Sequence, residues 1–477
     1  MKEKLFCGSK KYYINSAITI VLMFGFRFLP PIGTISQVGM GVLGVFLGAI
    51  YGWSTVGIFW PSALSIIALS FTGYGKFSEL ISTGMGSNTF IVLVTMFGLL
   101  AIINESGISM YLAKKIIGLK IGRGRPWVVV YLLMTACSLL FGVTGAFPIA
   151  LMIWEIFYDM VDYNGIQKGK FTQFVVTAVM FGAILGGQIF PFTVVILVLF
   201  NIFTSTTGLA APAFVSYVIW MLVISQLCTI VFILAGKYLL RIKAPKLEIK
   251  KDETLEKLDT YQKIVLGVAA AFVAVLVLSN ILPSGWIFTQ AVSGLGVSGV
   301  ALVADIFLIA VRFTQGKTFQ AYMSKSVGWD LLFMCMPITL ISSALTSADT
   351  GISDWVCNLF IPVFSKLGPA VFLILIVVIP LILTNFLNNI VMGTLFIPIG
   401  FAIAGSLGLN QYLVVTLIIE ATSMALVTPA ACTPAAVLHG NSEWVTSNQA
   451  AKYGAVAVAL AALVIIAAGI PLGMLLY

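Results

Sequence analysis

Long apolar runs separated by short polar stretches fill the chain from residue 14 almost to its end. A bilayer core about 30 Å thick is crossed by roughly 20 apolar helical residues. Runs suited to that task occur at 14–30, 37–53, 54–73, 89–104, 211–236, 262–281, 290–311, 329–346 and 453–476. Four further segments are apolar but interrupted. "FGVTGAFP" (141–148) splits 126–160, and "TNFLNNIVMGT" (384–394) splits 367–405; each reads as two half-helices around a polar turn, a re-entrant hairpin. "GGQIFPFT" (186–193) breaks the helix at 171–204, and "TPAACTP" (428–434) breaks the helix at 412–440. Lipid cannot satisfy the backbone groups that such Gly and Pro clusters release, so these segments belong inside protein or along a watery cavity.

The interruptions come twice in the same order. "ESGISMYL" (105–112) is echoed by "DTGISDWV" (349–356), and each is followed by an amphipathic piece, a hairpin and a broken helix. The pattern predicts an inverted repeat, whose paired interrupted segments point to a binding site near mid-membrane. The expected layout is scaffold helices at 1–88, a first repeat at 89–242, a cytoplasmic linker at 243–260 and a second repeat at 261–477. The fold class is an all-α polytopic membrane protein with about eleven crossings and two hairpins.

Composition agrees: 60% of residues are hydrophobic and 9% charged, whereas soluble domains are roughly a quarter charged. The net charge of +9 raises the question of nucleic acid, but the positions of the cations answer it. With the N-terminus inside, segments 1–13, 105–125, 160–170, 237–263, 312–327 and 440–452 hold 23 of the 26 Lys and Arg; only Arg27, Lys76 and Lys366 fall elsewhere. This asymmetry sets membrane orientation and implies no nucleic-acid partner. Six scattered cysteines without CxxC spacing give no disulfide framework and no zinc site.

Candidate chemistry follows from the turns. Half-helix N-termini at mid-membrane present N–H donors and partial positive charge to an anion. Gly142, Thr144 and Gly145 at the first tip, with Asn388, Asn389 and Thr394 at the second, suit that role. Carbonyls freed at the breaks, near Gly187 and at Thr433 and Pro434, suit a cation or the far end of the ligand. The polar triplet Ser87-Asn88-Thr89 precedes an uninterrupted helix and reads as a helix cap. Ionisable residues inside spans are costly and therefore functional candidates. Glu420 is a candidate proton or cation carrier; Asp305 lies in a scaffold span, where a structural or interface role is expected. His439, the one histidine, is expected near the cytoplasmic rim.

The run "LTNFLNNIVMGTLFIPI" (383–399) resembles the second signature of the divalent-anion/sodium symporter (DASS) family of the ion transporter superfamily, T-E-F-x-S-N-T-A-T-x-x-L-x-x-P. Thr384, Phe386, Asn389, Leu395 and Pro398 match. "EATSMALVTPAACTPAAVLHGNSEW" (420–444) is similar to its downstream helix break, and residues 28–53 to its opening helices. The resemblance implies a scaffold domain, an elevator-like transport domain and a homodimer. It also implies sodium sites at Ser138 and Gly187 in the first repeat and at Thr384 and Asn389 in the second. The chain departs from the pattern at Val143, Ile390, Asn385 and Ala435-Ala436, where the family has Asn, Thr, an acid and Pro-Asn.

The expected function is secondary active transport of a small organic anion, di- or tricarboxylate-like, coupled to sodium or protons or by exchange. The alternative is an inorganic-ion carrier or cation/proton antiporter of the same superfamily. Enzyme chemistry is disfavoured, since neither HExxH nor GxSxG occurs. No cofactor is expected beyond Na+ as a possible coupling ion. The partners are the substrate anion and the bilayer, and the expected location is a bacterial inner membrane with the N-terminus cytoplasmic. The charge count predicts that single cysteines in linker 243–260 are labelled from the cytoplasmic side only, while the C-terminus is labelled from outside; labelling of the linker from outside would invert this map.

Overall fold

The computed structural model describes residues 10–145, 148–247, 258–283, 285–314, 316, 327–429 and 431–477, and every regular element among them is helical. Seven helices are long and apolar enough to cross a membrane, or eight if the bent pair Phe77–Met85 and Phe90–Glu105 counts as one. The N-terminal layer comprises α1 (Lys10–Gly25), α2 (Gln37–Thr55), α3 (Phe59–Phe71) and α4 (Phe77–Met85). Next come α5 (Asn88–Glu105) and α6 (Ile108–Ile117). Ser87 starts α5 as its N-cap, its hydroxyl accepting from the Phe90 N–H at 3.3 Å. The side chains of Asn88 and Thr89 lie outside the described residues.

Hairpins and breaks fall where the Gly and Pro clusters place them. α7 (Pro126–Thr144) and α8 (Pro148–Tyr163) form the first hairpin. α7 starts with Pro at its first position, where no N–H is needed, and ends at Gly145, whose φ of 59° is open to glycine at little cost. The helix therefore continues through Gly142 and Thr144, further than a polar tip at 141–148 implies. Tip residues 146–147 lie outside the described residues. α9 (Lys170–Ile189) and α10 (Val194–Thr207) follow, separated at Phe190–Thr193. α11 (Phe214–Leu234), α12 (Thr260–Ile281) and α13 (Ile287–Phe313) lead to α14 (Trp329–Thr346); residues 248–257 of the linker lie outside the description. α15 (Ile352–Leu383) bends at Gly368 and, with α16 (Asn389–Ser406), makes the second hairpin. α17 (Gln411–Ser423) and α18 (Thr433–Gly440) are the second broken helix, and α19 (Ser447–Val464) and α20 (Ile470–Leu476) close the chain.

Small residues set the closest approaches, as membrane interfaces without a hydrophobic driving force require. On α9, Gly182 faces the Met134 backbone of α7, and Gly186 faces that of Ser138. A methyl at Gly186 would stand 2.2 Å from the Ser138 carbonyl oxygen. This contact locks the first hairpin onto the first broken helix. The hairpin is also tied to the second broken helix. Lys168 pairs with Glu443 at 2.7 Å, Trp444 stacks on Tyr158 at 3.9 Å, and Asn441 donates to the Tyr158 hydroxyl at 2.7 Å.

A separate polar seam joins α5, α12 and α13. Arg312 is buried and pairs with Glu105 at 2.9 Å while lying over the Tyr261 ring at 4.1 Å. Two turns earlier on α13, Asp305 is buried against Gly98 of α5; a Cβ there would lie 2.6 Å from its Oδ2. Asp305 thus packs a helix interface.

The α7–α9 contact generates a paired prediction. Gly186→Ala should lower the thermal midpoint of the detergent-solubilised protein, with overpacking costing about 1–3 kcal/mol. Gly267→Ala on α12, where an added methyl meets nothing within 4 Å, should leave the midpoint unchanged or raise it.

Candidate functional site

The second tip is built around Asn385. Its amide nitrogen donates to the carbonyls of Leu381 (2.7 Å) and Met424 (3.0 Å), and its oxygen accepts from the N–H groups of Leu426 and Val427, both at 2.9 Å. Two donors and one oxygen with two lone pairs exhaust what a primary amide offers. The backbone carbonyl of Asn385 also accepts from the Thr428 hydroxyl. One buried side chain thereby satisfies the groups released where α17 ends and holds the break against the hairpin tip. An acid at this position could not donate to both carbonyls, so the departure from the symporter pattern has a structural cause.

Beside it, three oxygens converge. The Thr384 hydroxyl is shared between Asn389 Oδ1, at 3.1 Å, and the Thr422 carbonyl. A single hydroxyl proton serves two acceptors, which leaves an oxygen-rich spot at the start of α16, with Thr384 and Thr422 buried and Asn389 half-buried at the tip. Such a neutral, hard-oxygen set fits a small cation. Asn388 caps α16 through the Ile390 N–H at 2.9 Å.

A cavity of about 660 Å³ opens next to this tip. Asn388, Asn389 and Ile390 form one part of its wall, and Ser423, Thr433 and Pro434 of the second break form another. Gly187 and Gln188 bring the end of α9 to the same space. Ile58 of the N-terminal layer and Val327 to Asp330 at the start of α14 face them. The cavity lies where both broken helices, the second tip, the N-terminal layer and the start of α14 meet.

Of the residues expected from the sequence, Gly187, Asn388, Asn389, Thr433 and Pro434 are brought together here. Thr384 sits directly behind Asn389. The first tip is placed elsewhere. Gly142 packs under Gly186 and Phe190, and Thr144 donates to the Leu140 carbonyl at 2.7 Å within the helix. Gly145 turns the chain, and Val143 borders a small apolar void with Phe192 and Phe272. Ser138 faces Ser225 at 3.3 Å, and the Gly187 carbonyl accepts from the Thr193 hydroxyl at 2.7 Å. Thr394 donates within α16, and Glu420 is 2% exposed inside α17 and outside the cavity wall. His439 bonds Ser447 at 2.7 Å, a structural contact after the second break.

Besides apolar wall residues and Asp330 of α14, two polar residues at the breaks escaped sequence reasoning. Gln188 is 2% exposed and Ser423 5% exposed, and both contribute to the wall. The signal for Gln188 was a polar amide inside "GGQIFPFT", masked by the more conspicuous glycines and proline. Ser423 stands in an ordinary helical run, and nothing in its local sequence marks it.

The Asn385 clamp predicts a graded response. Asn385→Leu strands two N–H and two carbonyl groups, each worth about 1–3 kcal/mol when buried unpaired, and should yield little folded protein. Thr428→Val removes one bond of about 1 kcal/mol and should fold with a modestly lower midpoint. A folded, active Asn385→Leu variant would show that the clamp is dispensable.

Comparison with known proteins places this geometry. A citrate transporter family model matches residues 12–419. The uncharacterised transporter MJ0672 of Methanocaldococcus jannaschii is 26% identical over 168 residues, which is 35% of this chain and 36% of that protein, so the match spans about a third of the relative's length. Among solved structures, the Alcanivorax borkumensis YdaH transporter aligns with a TM-score of 0.60 at 13% identity, covering 83% of this chain and 87% of its own. Neisseria gonorrhoeae MtrF, from a class of antimetabolite efflux pumps, aligns with a TM-score of 0.56 at 11% identity, covering 98% and 96%. At such identities these two establish a shared fold alone. The model match covers most of the chain, from α1 into α17, and on that ground the protein belongs to the citrate transporter family of membrane transporters.

Proposed function

We propose that the protein is a secondary active transporter of a small polycarboxylate anion, with citrate as the first substrate to test. The observation that carries this reading is the 660 Å³ cavity at the junction of both helix breaks, walled by Asn388 and Asn389 at the start of α16 and by Thr433. N–H, amide and hydroxyl donors at a helix N-terminus are the groups that bind carboxylates. The family description supports the choice of citrate. The order of hairpin and broken helix, met once in α7–α10 and again in α15–α18, supports an inverted repeat. The likeness of residues 383–399 to the symporter signature supports an elevator-type transport domain in a homodimer.

Coupling is assigned to a cation at the second tip. Thr384 Oγ1, Asn389 Oδ1 and the Thr422 carbonyl would hold it, and when bound it would supply positive charge next to the carboxylates. Thr384 and Asn389 then link cation and anion occupancy, because Asn389 belongs both to this cluster and to the cavity wall. A second reading is favoured by Glu420, a carboxyl buried in α17, since an ionisable residue inside a span is costly and marks an ion or proton path. In that version a proton replaces the metal cation.

Proteoliposomes decide between them. Wild-type protein should accumulate labelled citrate under an imposed sodium gradient. Asn389→Ala should reduce uptake at least about tenfold, the loss expected for roughly 1.4 kcal/mol, and abolish its sodium dependence. If the pH gradient drives uptake instead, Glu420→Gln should lose that dependence while still binding substrate. Uptake indifferent to both gradients and to both substitutions would overturn the coupled-transport reading.

A further inference from the structure

The loop between α8 and α9 and the segment that follows α11 enclose a second cavity, of about 760 Å³, which shares no lining residue with the first. Lys170, Arg241, Lys243 and Lys246 line it, and no Asp or Glu does. All four cations are exposed, so a ligand entering the cavity reaches them. Among the described residues none of the four is paired with a carboxylate, whereas Lys168, outside the lining, is held by Glu443 at 2.7 Å.

Both sides of the cavity are held in shape. α8 ends at Gly165, which has a φ of 60°. The Gly165 N–H donates to the Asp162 carbonyl at 3.1 Å and the Ile166 N–H to that of Val161 at 3.0 Å, the paired bonds that fix a helix C-terminus. α9 begins at the cavity with Lys170 and Phe171, and its leading N–H groups have no partner within the helix. On the other side Arg241 has a φ of 50° and is, among the described residues, the one non-glycine with positive φ. A side-chain-bearing residue adopts that conformation at a cost. Here its neighbours impose it: the Ile242 N–H donates to the Gly236 carbonyl at 3.0 Å, and Ile242 and Leu247 are buried. Segment 241–246 thereby brings three cations to one concave surface.

Membrane orientation explains cations at the end of a span, but not their collection in a cavity. Lys120, Arg123 and Arg125, exposed before α7, line neither this cavity nor the first. Like charges gathered between low-dielectric walls focus a positive potential, which an anion relieves. An arginine fork, ammonium groups and helix N–H donors together are the chemistry that takes phosphate. Position then selects the source of the phosphate. Lys170 is the first residue of one span, and Arg241 lies just past the end of another, Phe214–Leu239, so the cavity sits where lipid headgroups lie. From that end, exposed apolar side chains at Tyr238, Leu234 and Ile230 recur every fourth residue, a track for an acyl chain. Lys237 lies over the Tyr238 ring at 4.9 Å, and such aromatic residues belong to the membrane boundary.

We propose that this cavity binds the phosphodiester headgroup of an anionic phospholipid, which ties the start of α9 to the end of α11. The lipid would be held whatever the cargo is, since none of its contacts lines the first cavity.

The test titrates the full-length protein, in neutral detergent, with dioctanoyl phosphatidylglycerol, dioctanoyl phosphatidylcholine, glycerol phosphate, inorganic phosphate and citrate. Binding is read by microscale thermophoresis and by the shift of the thermal midpoint. Phosphatidylglycerol should bind saturably and at least about tenfold more tightly than phosphatidylcholine or any of the soluble anions. The triple variant Arg241→Gln, Lys243→Gln, Lys246→Gln should weaken it at least about tenfold. A control triple, Lys120→Gln, Arg123→Gln, Arg125→Gln, removes the same charge from outside the cavity and should change it by less than about twofold. Equal weakening by both triples reduces the binding to diffuse attraction and overturns the site. A soluble anion that binds as tightly as the lipid assigns the cavity to that anion, and phosphatidylcholine that binds as tightly assigns the contact to acyl chains. Either result overturns the proposal, as does a lack of saturable binding. Should the first triple fail to fold, Lys170→Gln decides, with a loss of roughly fivefold expected and an unchanged affinity overturning the site.

Discussion

Backbone groups released by a helix break have no partner in hydrocarbon, and the arrangement of this protein follows from where those partners are found. At the second break the solution is one side chain: the Asn385 amide satisfies two carbonyls and two N–H groups. At the first break it is distributed, with Thr193 bonding the Gly187 carbonyl and Tyr217 bonding that of Gln188. Polar residues therefore accumulate at both breaks for reasons of stability alone. The cavity opens where residues of the two breaks and of the second tip come together.

The same economy explains why the two halves are unequal. The second tip exposes the start of α16 and two asparagines to the cavity, while the first tip is withdrawn behind the Gly186 contact and ends in helix as far as Thr144. Close approach of α7 and α9 uses up Gly142 and Ser138 as packing positions. A residue pressed against a neighbouring backbone at van der Waals distance has no face left for a ligand. The first half of the chain reaches the cavity through its broken helix, Phe141 and Ile58.

Much of the fold was legible because Gly, Pro and polar clusters inside apolar runs are rare and each has one physical explanation. The break at 190–193, the turn at 384–388 and the helix cap at Ser87 sit within those clusters, while the second broken helix already ends at Ser423, ahead of the cluster at 428–434. The chemistry of the first tip was less legible. Gly142 and Gly145 look alike in sequence, yet one lies in the last turn of α7 and the other has positive φ. Local composition cannot tell a glycine needed for packing from one needed for a turn. Asn385 was visible only as a departure from a pattern; its role depends on the Met424 carbonyl and the Leu426 and Val427 N–H groups, about forty residues away. Asp305 read as costly in a span, and Gly98 of α5 gives its carboxyl room without giving it a partner, since among the described residues nothing donates to its Oδ1.

A cavity bounded on one side by α14 and Ile58 and on the other by the tip and breaks has a consequence for motion. The oxygens of Thr384, Asn389 and Thr422 and the polar wall residues Asn388 and Thr433 all lie on the hairpin and broken-helix elements, which are fastened together by Lys168–Glu443, by the Tyr158–Trp444 stack and by the Asn385 clamp. Val327 to Asp330 and Ile58 contribute wall without any of those bonds. Under the coupled-transport reading proposed above, ligand and cation would stay with one cross-linked body while the opposing wall changes, and no bond to the cargo would have to break for access to alternate. The polar seam of Arg312 with Glu105 and Tyr261 lies outside the cavity wall and can hold α5, α12 and α13 as one unit throughout. That division of labour is what an alternating-access device requires, and it follows from where the unsatisfied backbone is clamped.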